Sequence, residues 1–130
     1  ERVLIVDDEA SIAKMVRQAL NRLGYTATAM TSAPDALDVF TATPDVFDLV
    51  LTDMTMPHMT GEQLAARIRA VRPHIPIILC TGYSNKISEA SAKEMGIDAF
   101  AYKPIVIADL AKTVRSVLDA VQTMPNQDSV

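Results

Sequence analysis

Tryptophan is absent from this 130-residue chain, cysteine occurs once, and there are only four glycines. A single cysteine, Cys80, allows no intramolecular disulfide and no cysteine-built zinc site. Its setting in Ile77-Ile78-Leu79-Cys80 reads as a small buried apolar side chain. The scattered glycines make no phosphate-cradling loop of the kind nucleotide-binding folds place before a helix. No apolar run approaches the roughly 18–20 residues that cross a bilayer, and no signal peptide opens the chain, so the expected location is the cytoplasm. An excess of basic residues is also lacking. The net charge of −4 offers no general attraction to nucleic acid or to an anionic membrane, and neither is expected as a partner.

What is present is a core-forming composition, 49% hydrophobic against 22% charged, in a length suited to one domain. Two kinds of segment alternate. Val3 to Val6, Phe47 to Thr52 and Ile77 to Cys80 are apolar runs of the kind buried on both faces of a sheet, and Tyr25–Met30 and Ala99–Tyr102 are shorter β-prone stretches. Between them lie helical spacings. Ile12, Met15, Val16, Ala19, Leu20 and Leu23 precede a Gly24 stop, and Thr31 or Ser32 can cap a helix carrying Ala36, Leu37, Val39 and Phe40. A third helix holds Leu64, Ala65, Ile68 and Val71. A weaker one runs from Ser84 or Asn85 through Ile87, Ala90 and Met95, and the last carries Leu110, Ala111, Val114, Val117, Leu118 and Val121. Five β-then-α units predict an α/β fold, a single five-stranded parallel sheet doubly wound by helices.

In such a sheet, ligands bind just past the carboxyl ends of the strands. Asp7, Asp8 and Glu9 follow the first strand, Asp53 the third, Thr81 the fourth and Lys103 the fifth. Carboxylates brought that close raise each other's pKa unless a cation compensates, and Mg²⁺ with oxygen ligands is the natural one. Lys103 offers a point charge and Thr81 a hydroxyl donor for phosphoryl oxygens. These are the parts of a phosphoryl site.

Val3-Leu4-Ile5-Val6-Asp7-Asp8-Glu9, Asp53-Met54-Thr55-Met56-Pro57, Thr81-Gly82 and Lys103-Pro104 together resemble the receiver domain of response regulators and hybrid histidine kinases. The resemblance implies a flavodoxin-like (βα)5 fold of strand order 2-1-3-4-5, with residues 1–121 as receiver domain and 122–130 as tail or linker. It implies Asp53 as phosphoacceptor, and Mg²⁺ (or Mn²⁺) held by Asp7, Asp8, Asp53 and the Thr55 carbonyl. Thr81 and Lys103 would contact the phosphoryl group, with Lys103-Pro104 in the cis form. Thr81 and Phe100 would form a switch altering the surface of the fourth helix, fifth strand and fifth helix. The implied partners are a histidine kinase or histidine phosphotransfer domain on one side, and an output domain or downstream protein on the other. Tyr83 is expected to shield the acyl phosphate from water.

The first residue is Glu1, placed almost on a strand, which reads as a domain cut from a longer protein. Leu79 to Ser84 and Lys103-Pro104-Ile105 look most like receivers attached to hybrid sensor kinases, which would put the domain on the cytoplasmic side of a membrane.

Plainer readings compete. Asp7, Asp8 and Glu9 could simply cap the first helix, favourable by roughly 0.3–1 kcal/mol through its dipole. Lys103 could be a solvated charge, and Thr81 a local turn hydroxyl. His58 and His74 read as exposed loop residues, and the seven methionines as core filler except Met54 and Met56 beside Asp53. Thr60 stands before Gly61 where an acidic residue is frequent in the family, a departure expected to be harmless. A haloacid-dehalogenase-like phosphatase would also use an aspartate and Mg²⁺, but in an Asp-x-Asp pair after the first strand. A degenerate receiver would be a phosphorylation-independent binding module, yet here every reactive position is intact. As an isolated domain the chain is not expected to be an enzyme in the ordinary sense.

Overall fold

The computed structural model describes residues 1–82 and 97–123, with the side chains of 121–123 excepted. The helix expected over 85–95, Tyr83 and the tail from residue 124 lie outside the described residues.

Five parallel strands, β1 (Arg2–Val6), β2 (Thr26–Met30), β3 (Leu49–Asp53), β4 (Ile77–Thr81) and β5 (Ala99–Tyr102), stand in the order β2-β1-β3-β4-β5. This is the expected order. Helices α1 (Ala10–Arg22), α2 (Ala33–Ala42), α3 (Gly61–Val71) and a C-terminal helix, α4 (Ile107–Thr123), connect and cover them. The C-terminal helix runs past Gln122, where a polar tail was expected to begin.

The period-two alternation of the strands sorts their side chains between two cores. Leu4, Val6, Val50, Ile77 and Leu79 face Ala36 and Phe40 of α2 and Leu64, Ala65 and Ile68 of α3. Val3, Ile5, Leu49, Leu51, Ile78 and Cys80 face Val16 and Leu20 of α1 and Leu110, Val114 and Leu118 of the C-terminal helix. The three central strands are buried on both faces, which is why they read as unbroken apolar runs.

The helical stripes are narrower than the sequence suggests. Met15 is 41% exposed and Leu23 54%, and Val39 and Val71 are also exposed, while Ala13, absent from the expected stripe, is buried. Packing on a flat sheet takes Ala13, Val16 and Leu20 of α1 at i, i+3 and i+7. Met15 falls off that line, and Leu23 follows the last helical turn. Met56 is a core residue after all, 7% exposed among Leu64 and Leu79. Phe47 lies outside β3, although it is buried and its ring stacks on Phe40 at 6.4 Å.

Local signals mark two helix starts and one helix stop. The Ser32 hydroxyl accepts from the Asp35 N–H with Pro34 in the first turn, and Gly24 takes φ +99° after α1. Thr60 and Gln63 form a reciprocal capping box on α3, so Thr60 has a definite structural duty.

The amino-terminal rim of the sheet is held by polar side chains. Asp98 Oδ2 accepts from the Ile77 N–H at 2.8 Å and pairs with Arg69 at 2.9 Å. Arg72 donates to the Pro44 and Phe47 carbonyls, and Asp48 accepts from the Arg2 N–H at 2.7 Å.

Candidate functional site

The opposite, carboxyl rim carries the chemistry. Asp53 is the last residue of β3 and continues the alternation of Leu49 and Leu51, so its side chain belongs to the face covered by α1 and the C-terminal helix. Asp7 extends the same alternation from Val3 and Ile5 on the neighbouring strand β1. Two carboxylates therefore meet at one corner of the sheet, 5% and 6% exposed. Asp8 joins them from the solvent side, and one carboxylate oxygen from each of the three lies within 4.8 Å of the others.

Lys103 arrives from the residue after β5, its Nζ 3.2 Å from Asp7 Oδ2 and 3.1 Å from Asp53 Oδ1. The peptide bond it shares with Pro104 is cis. Its backbone N–H donates to the Thr81 carbonyl at 2.8 Å, tying the lysine to the end of β4. One ammonium is thus shared by two carboxylates, Asp7 and Asp53.

Burial pushes the Asp53 carboxyl above its ordinary value. The Lys103 ammonium pulls the other way, and the charge of Asp7 adds to the rise. Burial would depress Lys103, but the hydrogen bond to Asp53 and the charge of Asp7 more than offset it, so its pKa stands above the usual lysine value. Cys80, paired with Asp53 in the β3–β4 register, is pushed up to about 12, first by burial and then by the Asp53 charge. Its thiol is a buried neutral wall of the site.

The plainer account of the acids as helix caps covers only part of them. Glu9 occupies the cap position of α1 with no side-chain cap bond, and Asp7 Oδ1 accepts the Glu9 N–H at 2.9 Å. A single backbone donor does not account for a lysine shared with Asp53.

Thr81 is 3% exposed at the end of β4 and follows Ile77 and Leu79 toward the α2–α3 face. Its hydroxyl lies 3.3 Å from Met54 Sδ and 3.3 Å from the Gly82 carbonyl. Sequence reasoning set Met54 aside from the core and gave it no partner, but its half-buried side chain packs against the α2–α3 core. The only signal was its place beside Asp53. Phe100 is half-buried against the α2–α3 core, and its ring stacks on Tyr102 at 6.2 Å. Thr55 is exposed just past β3, while His58 and His74 are exposed, His58 with φ 70°.

The N-terminus of α3 closes tightly on this corner. The Gly61 N–H donates to the Met54 carbonyl at 2.8 Å, and a Cβ on Gly61 would fall 2.2 Å from the Asp53 carbonyl oxygen. The glycine is required by close approach of two backbones.

Donor chemistry fits a hard divalent cation, since the three clustered side chains offer only carboxylate oxygens.

Residues 3–115 match the response regulator receiver domain family. Sensory transduction protein RegX3 of Mycobacterium tuberculosis is 34% identical over 116 residues, 89% of this chain and 50% of that protein. Sensor kinase CckA of Brucella abortus is 32% identical over 120 residues, 90% of this chain and 12% of the kinase. The chain thus spans about half the length, or much less, of these relatives. Among solved structures, a response regulator receiver domain protein from Clostridium thermocellum superposes with a TM-score of 0.87 at 26% identity, covering 93% of this chain and 96% of that one.

Proposed function

The chain belongs to the response regulator receiver domain family, and from that membership we propose that it is a phosphoacceptor switch of a two-component phosphorelay. The observation that carries this reading is Lys103 bridging Asp7 and Asp53 at the corner where three carboxylates meet.

A carboxylate oxygen of Asp53 attacks the phosphorus of a phosphohistidine on a histidine kinase or phosphotransfer domain. The new O–P bond forms as the P–N bond breaks, the electron pair returns to the imidazole nitrogen, and Asp53 is left as an acyl phosphate. Lys103 stands within reach of the acceptor oxygen, and its charge balances the phosphoryl oxygens. Asp7, Asp8, Asp53 and the Thr55 carbonyl would hold Mg²⁺ or Mn²⁺. Bound there, the ion would neutralise charge on the transferring group.

Thr81 then turns its hydroxyl to the phosphoryl oxygen and Phe100 turns inward, biasing a two-state element. The changed surface includes β5 and the C-terminal helix, and it is read by an output domain or downstream protein. Residues 1–121 act as the receiver. The attachment of this receiver to a hybrid sensor kinase is proposed on the sequence Leu79 to Ser84 and Lys103-Pro104-Ile105, and a sensor kinase stands among the relatives beside a sensory transduction protein.

Incubation with acetyl phosphate and Mg²⁺, followed by intact mass, tests the reading. The expected result is one phosphoryl adduct, lost with EDTA and absent in Asp53→Asn. No adduct, even with a cognate kinase, would leave a binding module only.

A further inference from the structure

The Thr81 hydroxyl is a buried donor, and such a group needs an acceptor in every state it occupies. Among the described residues its partners are a thioether and the carbonyl of the next residue, each at 3.3 Å. Neither is strong. Divalent sulfur is a weak acceptor, and the distance to the carbonyl is at the long end for an O–H donor. The Asp53 Oδ1 atom, meanwhile, is engaged by Lys103 and by the Met54 N–H at 3.0 Å. The same residue, Met54, thus holds the acceptor carboxylate through its backbone and the hydroxyl through its side chain.

We propose that the Met54 thioether is the resting-state acceptor of the Thr81 hydroxyl, a positioning residue that sets how readily the switch turns. The inference rests on the phosphoacceptor reading above and names the contact that opposes it. A charged phosphoryl oxygen outcompetes a neutral sulfur, so Thr81 leaves Met54 at small cost once Asp53 is modified. The acceptor strength at position 54 fixes the population held at rest, and hence the apparent affinity for anything that requires the turned hydroxyl.

The experiment uses beryllofluoride with Mg²⁺ as a phosphoryl mimic, its binding followed by fluorine NMR of the full chain. Met54→Leu keeps the volume and the backbone N–H but removes the acceptor, whereas Met54→Gln keeps the length and supplies a stronger one. Leu is expected to tighten binding roughly three- to tenfold and Gln to loosen it by a similar factor, the scale of one ordinary hydrogen bond. Both differences should vanish in a Thr81→Val background, where no hydroxyl remains to be held. Leu and Gln shifting binding the same way, leaving it unchanged, or acting equally without the hydroxyl would each overturn the proposal. If the parent chain takes up no beryllofluoride, the phosphoacceptor reading itself fails, and the role of Met54 with it.

Discussion

Replacing Gly61 by Ala sets two physical effects against each other. On helix propensity alone the change should help, since Ala is favoured over Gly by about 1 kcal/mol inside a helix. The geometry gives the opposite sign. A Cβ at residue 61 would lie 2.2 Å from the Asp53 carbonyl oxygen, 2.9 Å from Met54 Cα and 2.8 Å from Leu79 Cδ1. Comfortable carbon contacts are about 3.5–4.0 Å, and two of these three neighbours are backbone. Strand β3 is paired on both sides, with β1 and β4, and cannot retreat. Helix α3 must therefore withdraw, stretching the Gly61–Met54 hydrogen bond and unseating Leu64, Ala65 and Ile68. Overpacking costs about 1–3 kcal/mol and a lost hydrogen bond about 0.5–1.5. Against the propensity gain, the expected net loss is about 1–3 kcal/mol. For a domain of this size each kcal/mol moves Tm by roughly 3–5 °C. Urea unfolding followed by circular dichroism reads the loss as a lower midpoint at unchanged slope. A Gly61→Ala protein as stable as the parent, or more so, would refute the close-approach argument.

Thr60→Ala removes one half of the α3 capping box and should cost about 1 kcal/mol in the same urea assay, with phosphorylation of Asp53 intact. Lys103→Met leaves two buried carboxylates without their cation, so Asp53 rises further above its ordinary value. A carboxyl raised in the folded state costs stability once the unfolded group ionises, so the deficit of this variant should widen from pH 4.5 to 7.5, to about 1–3 kcal/mol. Added Mg²⁺ should narrow it, and a deficit independent of pH would contradict the assignment. Cys80 supplies a window at the alkaline end. The unfolded thiol ionises near 9.0 while the folded one is held to about 12, so the unfolded state loses its proton first and stability falls across that interval. The slope approaches about 1.4 kcal/mol per pH unit, and Cys80→Ala should flatten it in pH-dependent unfolding.

The sheet was legible because its three central strands are buried on both faces and say so by unbroken apolar runs. The gathering of Asp7, Asp8, Asp53 and Lys103 was legible from strand ends alone, because parallel strands deliver their run-offs to one edge. Helix faces were less so. Met15 and Leu23 fit a helical period yet face water, since a period gives the angle of a stripe but not the width a flat sheet will cover. Phe47 reads as strand because it is apolar, but its ring serves the core from the approach to β3, beside Phe40. The α3 capping box is written in the sequence as Thr60-x-x-Gln63, a four-residue pattern too short to mark a helix start by itself. The Arg72 bonds to the Pro44 and Phe47 carbonyls carry no sequence pattern, because any loop carbonyl can accept a guanidinium.

That amino-terminal rim bears on descent as well as on folding. Arg69, Arg72, Asp48 and Asp98 bind the strand starts to the loops without drawing on any residue of the acidic corner. A duplicated copy that lost Asp53 and Lys103 would forfeit the proposed phosphoryl chemistry and keep these rim bonds. Silent copies of such a domain are therefore open to inheritance as docking surfaces, because erosion of one rim leaves the other intact.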